Sequence, residues 1–264
     1  QDSLYVSVLH SRVGGSEEKP PLNIDLRAEA NNDVVLTKLN YDNAPNRFKL
    51  KGGLVSLISF KKEADGVMLV KMNFMPSELT VNELTVNFEP AVIELRPNDI
   101  RISDFALSMH NKPFFMLNGR LSPSENDSLL VTFSQASIHN LLAAFNKMDI
   151  PVDGYLNGSI HLSAVLGKPR FFTKSFHVDD ITYRKDSVGS IVLDSRWSQK
   201  WQGMRIGAML IRGDESISSA DGYLSPVNDR VHFNVNFDMI PLSMAEVPLS
   251  GMAHDISGYC GANL

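Results

Sequence analysis

The chain has 264 residues, 43% of them apolar and 21% charged, a composition that belongs to a folded protein and excludes disorder as its main state. A net charge of -5 offers no electrostatic footprint for nucleic acid, and the single cysteine, Cys260, excludes an intramolecular disulfide and a cysteine-only zinc site. No apolar run approaches the ~20 residues of a membrane-spanning helix and no signal-peptide pattern is present, so the chain reads as an internal or processed piece of a longer protein.

Leu4 to Leu9 reads as a strand, and Arg12 to Pro20 as a loop. Leu22, Ile24, Leu26 and Ala28 alternate with Asn23, Asp25, Arg27 and Glu29, the period of a strand with one buried and one wet face. Val34 to Leu39, Phe48 to Leu50 and Leu54 to Phe60 continue the pattern, and Met68, Val70, Met72 and Phe74 form another apolar face against Lys71 and Asn73. A tandem follows, Glu78-Leu-Thr-Val-Asn82 and Glu83-Leu-Thr-Val-Asn87. Its five-residue step reverses the face between copies and predicts a bulge or bend near Asn82. Pro90 and Pro97 bracket a short strand, Val92 to Leu95, where neither ring has to donate inside a ladder. Between Ile100 and Met109 the apolar phase changes once, from Ile100 and Ile102 to Phe105, Leu107 and Met109, which predicts a bulge at Ser103-Asp104.

One segment reads as a helix, Ser137 to Lys147. Ser137 is its N-cap, Ile138, Leu141, Leu142 and Phe145 form one stripe, and Pro151 blocks continuation. A short helix of this kind lies across an opening in a sheet or plugs its end. From Asp153 to Trp201, apolar runs at Gly154 to Leu162, Phe176 to Tyr183 and Gly189 to Trp197 are separated by glycine, proline and charged breaks, as in consecutive antiparallel strands.

An internal repeat spans this region. Asn118-Gly-Arg-Leu-Ser-Pro123 recurs as Asp221-Gly-Tyr-Leu-Ser-Pro226, each followed by a strand, and Ile150-Pro-Val-Asp-Gly154 recurs as Val247-Pro-Leu-Ser-Gly251. The sequence therefore divides into an N-terminal β-rich segment (1–117), a β repeat with a short helix (118–220) and a second repeat that stops early (221–264). The fold expected from the repeats is all-β: a quasi-linear antiparallel assembly with one short helix, not a closed sandwich.

The ordered series Gly-x-Leu-Ser-Pro, strand, short helix, Ile-Pro-Val-x-Gly, Gly-x-Ile-x-Leu, Gly-Lys-Pro, Phe-x-Val-x-Asp and Gly-x-Ile-x-Leu-x-x-x-Trp runs from about Ile100 to Val247. It resembles the TamB family, the AsmA-like envelope proteins of diderm bacteria, and most of all their Bacteroidetes branch. The resemblance implies an internal periplasmic segment of an inner-membrane-anchored protein, its body an elongated antiparallel β-sheet curled into a taco-like or solenoid-like hydrophobic groove. It also implies a part in phospholipid transport to the outer membrane or in outer-membrane protein assembly. The partners implied are phospholipid acyl chains and, through parts outside this chain, an outer-membrane Omp85-type barrel.

On that reading the alternating apolar faces line the groove. They are Met68, Val70, Met72 and Phe74, then Phe105, Leu107 and Met109, then Leu156, Ile160 and Leu162. Further along come Ile191 and Leu193, and finally Val231, Phe233, Val235 and Phe237. Period two fits a packed core equally well, and the eleven methionines fit either a lipid-facing surface or gap-filling.

No catalytic residue, metal or cofactor is predicted. The seven histidines are scattered, and the His-Glu-x-x-His, Gly-x-Ser-x-Gly and phosphate-loop patterns are missing. His177-Val-Asp179-Asp180 reads as a solvated turn rather than a metal site, and His161 and His232 fall on the polar phase of their strands. Asn126-Asp-Ser128 and Asn157-Gly-Ser159 match the glycosylation pattern but read as turn pairs. Trp197 and Trp201 read as a hairpin pair stabilising its own turn. Two alternatives stand beside the groove: a structural β-solenoid or adhesin-like stalk with a filled core, and a glycan-binding β-sandwich with exposed tryptophans.

Overall fold

The computed structural model describes residues 4–13, 22–31, 34–43, 48–82, 84–144, 150–198, 200, 203–213, 215–225, 230–241 and 259–263, with side chains for those between 51 and 236. The described residues form eighteen strands in one antiparallel sheet and one short helix. In chain order the first nine strands are β1 (Leu4–Val13), β2 (Leu22–Asn31), β3 (Val34–Asn43), β4 (Phe48–Lys62), β5 (Met68–Phe74), β6 (Ser77–Val81), β7 (Leu84–Phe88), β8 (Ala91–Arg96) and β9 (Asp99–Met109). They are followed by β10 (Lys112–Leu121), β11 (Ser128–Ser137), the helix α1 (Ile138–Ala144), β12 (Val152–Ser163), β13 (Arg170–Tyr183) and β14 (Asp186–Ser198). The last are β15 (Gly203–Arg212), β16 (Glu215–Ser225), β17 (Arg230–Pro241) and β18 (Tyr259–Asn263).

The topology is a meander. β4 pairs with both β5 and β6, which are the two halves of one line interrupted at Met75-Pro76, where the Met75 amide still donates to Val55 O at 2.9 Å. β7 and β8 are likewise halves of one line, interrupted at Glu89-Pro90, and both pair with β9. Proline cannot donate to a ladder, so each ring marks a break in an otherwise continuous strand. The tandem repeat folds back on itself, with Glu78 opposite Asn87, Leu79 opposite Val86 and Val81 opposite Leu84. Asn82, at φ 55°, is therefore in a hairpin turn and not a bulge within one strand. The pair Gly52-Gly53 lies inside β4 and does not end a strand.

Antiparallel partners share a face, so the register assigns every strand residue to one side of the sheet. One side collects Leu22, Ile24, Leu26, Leu39, Val70, Met72, Ile93, Ile102, Leu117, Val131 and Ile160, and the other collects their polar neighbours. The predicted bulge at Ser103-Asp104 is present, with Asp104 at φ 58° and a register shift between Leu117 and Gly119. It keeps Ile102 and Phe105 on the same side despite their odd separation. Gln135 at φ 49° and Asp180 at φ 52° accompany register shifts in β11 and β13.

The apolar side is concave. Phe133 and Phe176 lie on strands two positions apart, about 10 Å in a flat sheet. Gly158 of the intervening β12 lies opposite Phe133, and the two rings close to 5.8 Å between centroids. A Cβ on Gly158, which sits at φ +108°, would stand 2.2 Å from Ser175 O. Curling sheets at bulges and bare glycine positions is a general device.

Among the described residues the sheet is the only layer of strands. The chain exposes 16573 Å², whereas a compact folded monomer of this mass exposes about 11,500 Å². Buried residues recur along the concave face, Phe88, Ile102, Leu129 and Met204 among them, and Ile181, Tyr183 and Val188 form a cluster packed with Val152, Val178, Ile191 and Leu210. The sequence divisions at 117/118 and 220/221 fall inside β10 and β16, and strand pairing runs across both.

The helix runs along one end of the strands, here called the helix rim. Its N-cap is Ser137, whose Oγ accepts from the Asn140 amide at 3.3 Å. Its last carbonyls, Ala143 O and Ala144 O, accept from Asn82 Nδ2 at 2.9 and 3.1 Å. Asn140 meets Met109 Sδ at 3.7 Å, so α1 spans from the β6–β7 turn past the end of β9 to β11. The predicted continuation to Lys147 lies outside the described residues. So do the Gly14-Gly15 loop, Trp201 and the Val247 to Gly251 copy of the second repeat motif.

Candidate functional site: the concave apolar face

All the predicted lining residues share the concave face. Val70, Met72 and Phe74 stand opposite Leu95, Ile93 and Ala91, and Met68 stands opposite Lys62 at the strand end. Phe105 and Leu107 face Leu117 and Phe115, and Met109 faces Lys112. Leu156, Ile160 and Leu162 face Ala136, Val131 and Leu129. Ile191 and Leu193 lie between Val178 and Phe176 on one side and Leu210 and Ala208 on the other. Val231, Phe233 and Val235 stand opposite Leu224, Gly222 and Ala220. Phe237 takes the register position of Ser218, with its side chain outside the described residues. Except for the exposed Met68, Val231 and Phe233, the described members are half-buried, as expected of a face that neighbouring side chains cover only from the flanks.

The sequence reading missed the feature that organises this face. Phe74, Phe88, Phe105, Phe115, Phe133 and Phe176 form a row across the sheet, with successive ring centroids 5.3, 4.9, 6.2, 5.3 and 5.8 Å apart. Tilted and edge-on rings at this spacing are in favourable contact. The row runs across the strands, along the axis of the groove, and forms its floor. Past Phe176 the floor changes, since the register continues through Leu193, Ala208 and Ala220 to Val235. The floor is therefore aromatic through β13 and low over β15 and β16. Only pairing partners could have revealed the row, because its members are far apart in sequence.

Charge is kept off the floor. Among the described residues, no ionisable side chain occupies an interior concave position from β9 to β16. Arg212, which ends β15, is held by donating to Val188 O at 3.2 and 3.1 Å. The convex face carries the ion pairs instead. Lys71 meets Glu94 at 3.7 Å, Arg96 donates two hydrogen bonds to Glu63, and Arg120 donates two to Asp99 and one to Asp127. The hydrogen bond from Arg96 holds the Glu63 carboxyl below its ordinary range, and that from Arg120 does the same for Asp99 against the opposing effect of burial.

Asn157-Gly158 is not a turn. Asn157 is buried in mid-strand; its Oδ1 accepts from the bulged Gln135 amide at 2.6 Å, and its Nδ2 donates to Asp179 at 2.7 Å. A buried side chain with both ends engaged is no glycan acceptor. Its role is to satisfy the amide that the bulge frees. His177-Val-Asp179-Asp180 is also within a strand, β13, with His177 Nε2 3.4 Å from Asp179 and Asp180 at the bulge. Asn126 does lie in a turn, and His161 and His232 are exposed on the convex face. The Trp197 ring is covered by the Arg170 guanidinium at 4.0 Å.

Among the described residues no group of three His, Cys, Asp or Glu side chains could hold a metal ion, and no helix is long and apolar enough to cross a membrane. No protein-family model, curated protein or solved structure matches the chain.

Proposed function

We propose that this chain is a non-enzymatic segment of a periplasmic bridge between membranes, whose concave face carries the acyl chains of phospholipids. One observation carries the reading: an apolar face floored by a row of phenylalanine rings, on which, among the described residues, no second sheet packs. Moving a lipid tail through water costs about 0.8 kcal/mol for each exposed CH₂, and a track of this kind removes most of that cost. The tail lies along the floor while the headgroup stays in water at the rim. Binding is weak and repeated along the groove, because one strong site would hold the lipid in place. The TamB-like order of motifs supports the same reading, including a role in outer-membrane biogenesis. A filled stalk fits poorly with so large an exposed surface, and a glycan platform fits poorly with a Trp197 ring already stacked under Arg170.

The test is native and denaturing mass spectrometry of the purified chain, with extraction of whatever co-purifies. Phospholipid bound at a reproducible ratio supports the groove. A lipid-free chain that also refuses labelled phospholipid in a transfer assay would leave the structural stalk as the better reading.

A further inference from the structure

The end of the strands opposite the helix, the far rim, carries exposed apolar side chains beside cations at hairpin after hairpin. Between β4 and β5, Phe60 is 71% exposed and Met68 is 48% exposed, flanked by the exposed Lys61 and Lys62. Between β12 and β13, Leu166 is 45% exposed two residues from Lys168. At the β16–β17 hairpin Leu224 and Val231 are directly paired and both exposed, with Arg230 beside them.

The other far-rim turns with described residues are polar; of the described carboxylates nearby, Glu63 is engaged by Arg96, Asp99 and Asp127 by Arg120 and Glu125 by Arg170, while Asp65 accepts from the Val67 amide. On the helix rim, the turns at His110-Asn111, Arg184-Lys185 and Gly213 carry no exposed large apolar residue, although Ile150 beyond α1 is exposed. Exposed apolar side chains interspersed with cations, above carboxylates mostly paired with arginine, match the chemistry of an anionic bilayer surface. A folded protein surface would more readily meet a contiguous patch than separate apolar tips spread along a rim.

We propose that the far rim docks on an anionic lipid bilayer, with Phe60, Met68, Leu224 and Val231 inserted among the acyl chains and Lys61, Lys62, Lys168 and Arg230 on the headgroups. The groove would then meet the bilayer along the rim and not through the helix side. Met68 and Val231 stand at the far edge of the concave face, so the docking extends the groove reading to the bilayer.

The test is co-flotation of the whole chain with phosphatidylcholine vesicles, with and without phosphatidylglycerol. The chain binds the anionic vesicles, and salt weakens the binding. The double variant Phe60→Ser, Met68→Ser loses at least about tenfold in partition. Lys61→Glu with Lys62→Glu abolishes the preference for phosphatidylglycerol. Met209→Ser, an equally exposed position in mid-strand on the convex face, binds as the parent does. Circular dichroism confirms that each variant is folded. The proposal is overturned if the parent binds neither vesicle, or if Met209→Ser weakens binding as much as the rim variants. Concentration-dependent self-association lost in the Phe60 and Met68 variant, without vesicle binding, would also overturn it and reassign the rim to a second copy. Lipid co-purifying from a chain that ignores vesicles would sink the docking and leave the groove standing.

Discussion

Placing a carboxylate on the groove floor separates an open face from a packed core by the size of its cost. Leu193 is half-buried, between Phe176 on β13 and Ala208 on β15. In Leu193→Glu the fold loses part of one leucine's burial, about 1 to 2 kcal/mol, because the new carboxylate points into a face that water reaches. Inside a packed core the same change would bury an unpaired charge and cost more than about 4 kcal/mol. The assay is urea unfolding followed by tryptophan fluorescence. With a slope of about 2–3 kcal/mol per M for a chain of this size, the open face predicts a midpoint lowered by roughly 0.5 M. The second readout is photo-crosslinking to a phospholipid with a reactive group on its tail, which falls to background, since an acyl chain lying on the introduced carboxylate would have to strip its water. A variant that unfolds outright, or one that keeps its fold and still crosslinks at the parental yield, refutes the reasoning.

Three other perturbations probe the sheet that holds this face. Gly158→Val sets backbone strain of ~1–3 kcal/mol and overpacking of ~1–3 kcal/mol against the contact with Ser175, so the urea midpoint drops severely; an unchanged midpoint would remove the case for curvature at β12. Asp99 is ordinarily half-protonated at pH 3.8 and is held lower by Arg120, so its contribution is complete above that pH and disappears as pH falls through the depressed value. Asp99→Asn should therefore flatten the acid limb of stability below about pH 4, and an acid limb as steep as the parent's counts against the pair. Asn82→Gly, which keeps the positive φ of the β6–β7 turn, frees the last carbonyls of α1 and should speed hydrogen exchange in the helix while leaving global unfolding nearly unchanged; parental exchange rates would show that the tether does not hold the helix.

The strands were legible because every face alternates, and the bulge in β9 was legible because the phase visibly slips between Ile102 and Phe105. Local pattern failed where one residue pair serves two geometries. Asn157-Gly158 has the composition of a turn, and only Gln135 and Asp179, on neighbouring strands, make it the kink of a long strand. The tandem at Glu78 and Glu83 predicts a bulge or bend near Asn82; that the bend is a hairpin turn shows only in the self-complementary pairing of the two copies. The lining residues were found by alternation alone. Their company was not: Phe88, Phe115, Phe133 and Phe176 join the floor through register, a property of pairs of strands.

The meander has a consequence for how such a track could vary in length. Each line of strand touches only the lines before and after it in the chain, so no pairing depends on a distant segment. A hairpin inserted at a turn outside the span of α1, such as those after β12, would extend the groove by about 10 Å and leave every other ladder as it was. A single strand could not be inserted, because the chain would arrive at the wrong rim. Span is then counted in hairpins, and a track of another length is reached by copying a unit without redesigning its neighbours.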